Sequence, residues 1–139
     1  MKNLSKLLVT LFYVGYFPYM PGTIGSLFSF ILLLILYKFF TLNILILFFL
    51  LMFIISKILI DIYIKNENEK DPKEIIIDEF LGCFLIIIFI KYMDYENILM
   101  ISLYSFILFR IFDVLKIYPI NIIDKKLKNP IGVILDDIL

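Results

Sequence analysis

Long apolar runs alternate with short clusters of charge in this chain, and the runs are long enough to cross a bilayer. The stretches 44–64, 74–91 and 97–117 reach or approach the roughly 20 apolar residues that a spanning helix needs. A lipid-exposed backbone must satisfy its own hydrogen bonds, which leaves only helices and closed barrels. The many Ile and Phe residues would favour strand in shorter segments, but runs of this length select helix. Composition agrees, with 63% hydrophobic residues and a mean hydropathy of +1.03, against about half apolar content in soluble domains. A length of 139 residues predicts a single domain over 1–139. The expected fold is all-α: a multi-helix integral membrane bundle of about four apolar helices, with an N-terminal amphipathic helix.

Breakers divide the chain. Residues 2–14 predict a first helix, with Lys2 and Lys6 ahead of an apolar stretch. No small-x-small cleavage pattern follows, so this is read as a retained amphipathic or partly inserted helix and not a signal peptide. Gly15 to Gly25, with Pro18, Pro21 and Gly22, is expected to be a loop. Ser26 then opens a helix over 26–40, short enough to be re-entrant. A break at Thr41 to Asn43 precedes the three long runs, and a last helix is expected near Ile131. With spans at 26–40, 44–64, 74–91 and 97–117, one side collects Lys2, Lys6, Lys57, Lys65, Lys70, Lys73, Arg110, Lys116, Lys125, Lys126 and Lys128. The other side has only Lys38 and Lys91. By the positive-inside rule the rich side is cytoplasmic.

What is missing narrows the chemistry. Net charge is zero, so no global field draws the chain to nucleic acid. Histidine is absent, which excludes His-ligated metals, a Ser-His-Asp triad and a His nucleophile. The single cysteine, Cys83, forms no disulfide framework and reads as a small apolar residue. It does not open a Cys-x5-Arg phosphatase loop, because Phe89 stands where the Arg belongs. Carboxylates, Lys, Arg, hydroxyls and a bound ion remain.

Four segments gather those groups. Asp78-Glu79 follow Asp71-Pro72, whose N-cap and N1 pattern predicts a helix start. That start would put the two acids about two turns inside the helix, too deep to serve its dipole. Gly82, one turn further on, removes a side chain beneath them. Arg110, Asp113 and Lys116 stand at i, i+3 and i+6, either as an ion-pair ladder or as a phosphate grip beside a metal ligand. Asp136-Asp137 close the chain, as a solvated last turn or as further ligands. Pro21-Gly22-Thr23-Ile24-Gly25-Ser26 precedes a helix and suits an anion nest, although an ordinary turn has the same look. All four lie on the cation-rich side, which predicts one polar site at the cytoplasmic interface for a metal ion and a phosphate.

These blocks resemble the phosphatidylglycerophosphatase A family. The likeness is carried in order by Pro21 to Leu27, by Asp71-Pro72 with Ile77 to Gly82, by Phe109 to Lys116 with Tyr118-Pro119-Ile120, and by Gly132 to Asp137. It implies a Mg²⁺-dependent enzyme of the bacterial inner membrane that converts phosphatidylglycerophosphate to phosphatidylglycerol. Thr23, Gly25, Asp78, Glu79, Gly82, Arg110, Asp113, Lys116, Asp136 and Asp137 stand at its signature positions. On that resemblance Asp78, Glu79, Asp113, Asp136 and Asp137 would bind Mg²⁺, with Asp78, Glu79, Asp113 and Asp137 catalytic. Thr23, Gly25, Arg110 and Lys116 would hold the phosphate of an anionic phospholipid. Two departures are visible: the helix expected after Asp136-Asp137 is cut short at Leu139, and Ile117-Tyr118 separate Lys116 from Pro119. Alternatives are a related lipid phosphate phosphatase or a cation or proton carrier with buried carboxylates. A phosphatidyl alcohol transferase is disfavoured because its Asp-Gly-x-x-Ala-Arg signature is absent. Oligomeric state is left open.

Overall fold

A computed structural model describes residues 2–67, 74–115 and 134. It contains α1 (Lys2–Val9), α2 (Pro21–Phe39), α3 (Leu42–Glu67), α4 (Ile77–Met93) and α5 (Ile98–Leu115), with a 3-10 turn at Val14–Tyr16 and no strand among the described residues. Among the described residues, three helices are long and apolar enough to cross a membrane: Pro21–Phe39, Leu42–Ile64 and Ile98–Leu115. The fourth apolar helix, α4, has 17 residues and carries Asp78, Glu79 and Lys91. It is nonetheless the core of the bundle, packed against α2, α3 and α5 and buried at Ile77, Phe80 to Phe84, Ile87 and Ile90. The expected all-α membrane bundle is therefore what this sequence forms.

The seam between α2 and α4 is built from small residues. Gly25, Ser26 and Ser29 form a buried stripe on α2, and small side chains let helix backbones approach where lipid offers no hydrophobic drive. Ile76 fills the space above Gly25: a Cβ there would lie 2.7 Å from Ile76 Cδ1 and 3.0 Å from Ile76 Cβ. Both serine hydroxyls are satisfied within their own helix, Ser26 Oγ donating to Thr23 O at 3.1 Å and Ser29 Oγ to Gly25 O at 2.7 Å. Cys83 packs across the seam, its Sγ 3.7 Å from Ser26 O. Further along, Phe30, Leu33 and Tyr37 meet Phe84, Ile87 and Ile90 in the apolar core. Phe30 also contacts Phe106 of α5, with ring centroids 5.2 Å apart.

At the far end of the seam, Lys91 Nζ donates to Tyr37 O at 2.6 Å and lies 4.2 Å over the Tyr37 ring. The last carbonyls of α2 have no intrahelical donors, so the ammonium caps them and offsets the negative end of the helix.

Several element boundaries differ from the sequence expectation. The first helix stops at Val9 and not at residue 14. Thr10 Oγ1 turns back onto Lys6 O at 2.8 Å, and Leu11, Phe12 and Tyr13 take left-handed φ values of 43°, 59° and 68°. The loop expected up to Gly25 ends at Met20, because Pro21 occupies the first helical turn where its missing N–H costs nothing. The added turn gives α2 19 residues, so it is long enough to span. Met20, not Ser26, is the N-cap. The break between α2 and α3 shrinks to Phe40-Thr41. Asp71 and Pro72 lie outside the described residues, but Glu74 to Ile76 are not helical and α4 begins only at Ile77. The helix expected near Ile131 also lies outside them, apart from Ile134. That residue is fully buried in a second cluster with Val9, Ile60, Tyr63, Ile75, Ile77 and Leu81.

Gly25→Val should open the α2–α4 seam, since the new branches collide with Ile76. The expected loss is roughly 1–3 kcal/mol, the usual range for overpacking, read as a lower thermal midpoint of the detergent-solubilised protein. An unchanged midpoint would refute the close approach.

Candidate functional site

Helices α2 and α4 begin, and α3 and α5 end, at one end of the bundle. The start of α2 has no side-chain cap from Met20. Pro21 lacks an N–H, and the Ile24 N–H already reaches Met20 O at 3.2 Å. Helix geometry therefore leaves the N–H groups of Gly22 and Thr23 without intrahelical acceptors. The start of α4 has no side-chain cap from Ile76, whose own N–H donates to Val9 O at 3.2 Å. Asp78 and Glu79 stand in its first turn, and Asp78 Oδ1 accepts the Glu79 N–H at 3.0 Å. The expectation that these acids lie two turns deep is thus corrected: they sit where the helix dipole favours negative charge.

Arg110 and Asp113 continue the inward stripe of α5 that includes Ser102, Phe106 and Phe109. They face the bundle for that reason. Arg110 Nη1 lies 2.6 Å from Asp113 Oδ2 and 3.6 Å from Glu79 Oε1, while Nη2 donates to Thr23 Oγ1 at 3.1 Å. One guanidinium therefore ties α2, α4 and α5 together. The three charged side chains are largely buried, at 15%, 12% and 16% exposure for Arg110, Glu79 and Asp113. Arg110 Nε is buried with no hydrogen-bond partner among the described residues. The cluster so retains donor capacity at its centre.

Thr23, Glu79, Arg110 and Asp113 are the expected site residues that the fold brings together, with Asp78 in the same turn as Glu79. Gly25 is elsewhere: it lies past the first-turn N–H groups of α2 and faces Ile76, so its visible role is helix packing. Gly82 is buried in α4. Lys116, Asp136 and Asp137 lie outside the described residues. Among the described residues no group of three or more acidic side chains is arranged to hold a metal ion. The donors present are all oxygen, with the Glu79 and Asp113 carboxylates around the Arg110 guanidinium. That set fits Mg²⁺, which keeps several waters and is commonly held by one or two carboxylates with substrate phosphates.

Two features have no counterpart in the sequence reading. Gly22 figures there only within its motif, yet a Cβ at that position would run into Glu79 Oε1 and lie 3.5 Å from Arg110 Nη2. Its signal is a Pro-Gly pair at a helix start, which an expected loop conceals. The second is a hydroxyl chain in which Tyr63 OH donates to Glu74 Oε1 at 2.9 Å and meets Tyr16 OH at 3.0 Å. It steadies the segment leading into α4. Its members stand on separate elements, so no local pattern marks it.

Comparison with known proteins gives a family and two relatives. The family model described as Phosphatidylglycerophosphatase A matches residues 7–139. The Haemophilus influenzae protein named Phosphatidylglycerophosphatase A is 36% identical over 119 residues, covering 86% of this chain and 71% of that protein. The Escherichia coli K12 protein of the same name is 26% identical, covering 100% of this chain and 78% of that protein. No solved structure matches the chain.

Arg110→Met should leave Glu79 and Asp113 facing a cavity without their cation. A loss of about 2 kcal/mol is expected, below the roughly 3–5 kcal/mol for breaking a fully buried pair because these groups retain some solvent. Chemical denaturation in detergent measures it, and adding Asp113→Asn should recover part of the loss. No recovery would argue against the pairing.

Proposed function

Because this chain belongs to the phosphatidylglycerophosphatase A family, we propose that it hydrolyses the terminal phosphate of phosphatidylglycerophosphate and so produces phosphatidylglycerol. The observation that carries the reading is Arg110, which touches Thr23 at the start of α2 while pairing with carboxylates of α4 and α5. A phosphomonoester needs a grip on several oxygens, and a planar guanidinium supplies parallel donors. The Gly22 and Thr23 N–H groups and the α2 dipole add positive potential at the same place. Thr23, positioned by Arg110, offers its hydroxyl to a phosphate oxygen. Lys116 would offset the remaining charge.

The carboxylates define the other half of the site. Asp78, Glu79 and Asp113, with Asp136 and Asp137, would hold Mg²⁺, which would neutralise phosphate charge and acidify a bound water. A carboxylate not engaged by the metal serves as general base for the attacking water. Arg110 stays beside the phosphate through the reaction and stabilises charge on the transferred oxygens. The cation-rich end of the chain supports a cytoplasmic orientation in a bacterial inner membrane.

The test is phosphate release from phosphatidylglycerophosphate in detergent micelles, with Mg²⁺ or EDTA, for the parent, Asp78→Asn and Arg110→Lys. Release should require Mg²⁺, vanish in Asp78→Asn, and fall about 100-fold in Arg110→Lys through loss of the fork. Equal release in EDTA would reject the metal, and full activity of both variants would reject the site.

A further inference from the structure

Residues 12–20, between α1 and α2, carry an exposed surface rich in aromatic rings. Phe12, Tyr13, Tyr16, Phe17, Tyr19 and Met20 are all exposed, Tyr19 at 78% and Met20 at 68%. No charged residue interrupts them. We infer that this segment is a lipid-facing rim along which the acyl-glycerol part of a phospholipid lies while its phosphate enters the site at Thr23 and Arg110. The inference rests on the phosphatase reading for its substrate and on the following geometry for its location.

Depth comes from α2. Its 19 residues rise about 28 Å, close to the roughly 30 Å hydrocarbon thickness. Pro21 therefore stands at one boundary of the hydrocarbon, and residues 12–20 lie just outside it. The backbone requires the same depth. Phe12, Tyr13 and Met20 have φ of 59°, 68° and 49° in a non-helical segment, and irregular backbone does not face lipid inside the hydrocarbon. Tyrosine rings settle at the headgroup level, one face apolar and the hydroxyl wet. Lys6 Nζ lies 5.0 Å over the Tyr16 ring, which fixes that ring beside the end of α1.

Continuity identifies the occupant. Met20 is the N-cap of the helix whose second and third residues, Gly22 and Thr23, carry N–H groups without intrahelical acceptors and the hydroxyl bonded to Arg110. A molecule lying on Tyr19 and Met20 thus has its end at that cluster. A surface this apolar excludes a fully polar phosphate ester and accepts a lipid. The rim would make the site read the lipid body as well as the phosphate.

The chain has no tryptophan, so Tyr19→Trp gives it a sole indole reporter. It is reconstituted in vesicles of phosphatidylcholine and phosphatidylglycerol with acyl chains brominated at shallow or deep positions. Strong quenching by the shallow label and weak quenching by the deep one is expected. Water-like emission quenched by iodide alone overturns the rim, and so does lipid quenching that disappears as protein density rises, since a second copy then covers it. In parallel, Phe17→Ser with Tyr19→Ser is assayed on phosphatidylglycerophosphate and on its deacylated headgroup. The kcat/KM ratio of lipid to headgroup should fall roughly tenfold, the scale of losing buried aromatic surface. Equal loss on both substrates overturns the rim as a lipid contact. If the parent cleaves neither substrate while the indole of the Tyr19→Trp variant is quenched by shallow bromine, the phosphatase reading fails and the rim stands.

Discussion

A guanidinium in a membrane-embedded bundle must be matched by charge, and Arg110 is matched from its own helix and from a neighbour. An Arg at the centre of a spanning helix costs roughly 2.5–3.5 kcal/mol even on insertion scales. Arg110 avoids that cost by standing near the end of α5 beside Asp113 and Glu79, with Thr23 on its second nitrogen. Removing any partner would leave a largely buried charge short of its complement. The register of three helices at this end of the bundle is therefore fixed by one side chain.

That register depends on how closely α2 and α4 approach. Gly25, Ser26 and Ser29 keep the seam thin, and Gly22 leaves room for the Glu79 carboxylate beside Arg110. Two helix starts without side-chain caps then lie together. Their fields add, which favours anions at this end. At the opposite end a lysine caps the carbonyls of α2. The bundle is polarised along its axis, with positive helix ends and an arginine together at one pole and the lysine at the other.

Legibility varies with the range of the interaction. The helices over 44–64 and 97–117 are readable because length and hydropathy are properties of the segment itself. The partners Arg110 and Asp113 are readable because i, i+3 spacing is local. The start of α2 is not, since Pro-Gly pairs signal a turn unless the following residues pack. Here Gly25 and Ser26 pack against α4, which draws the helix back to Pro21. The start of α4 misleads in the opposite direction: Asp71-Pro72 has the pattern of a helix start, but Ile76 donates to Val9 O and holds the chain out of helix until Ile77. That later start moves Asp78 and Glu79 from mid-helix into the dipole.

The sequence by itself determined that the chain is helical, that its helices are long and apolar enough to meet lipid, and that any chemistry is left to carboxylates, lysine, arginine, hydroxyls and a bound ion. Those properties follow from composition, run length and the absence of histidine, none of which needs a partner. Only the tertiary structure decided which polar groups meet. Thr23, Glu79 and Arg110 stand on three helices, and their union needs a thin α2–α4 seam and the inward stripe of α5. It also decided that Gly25 packs while Gly22 borders the charge cluster. One helical turn separates those glycines, and which neighbour each meets is set by the crossing of helices distant in sequence.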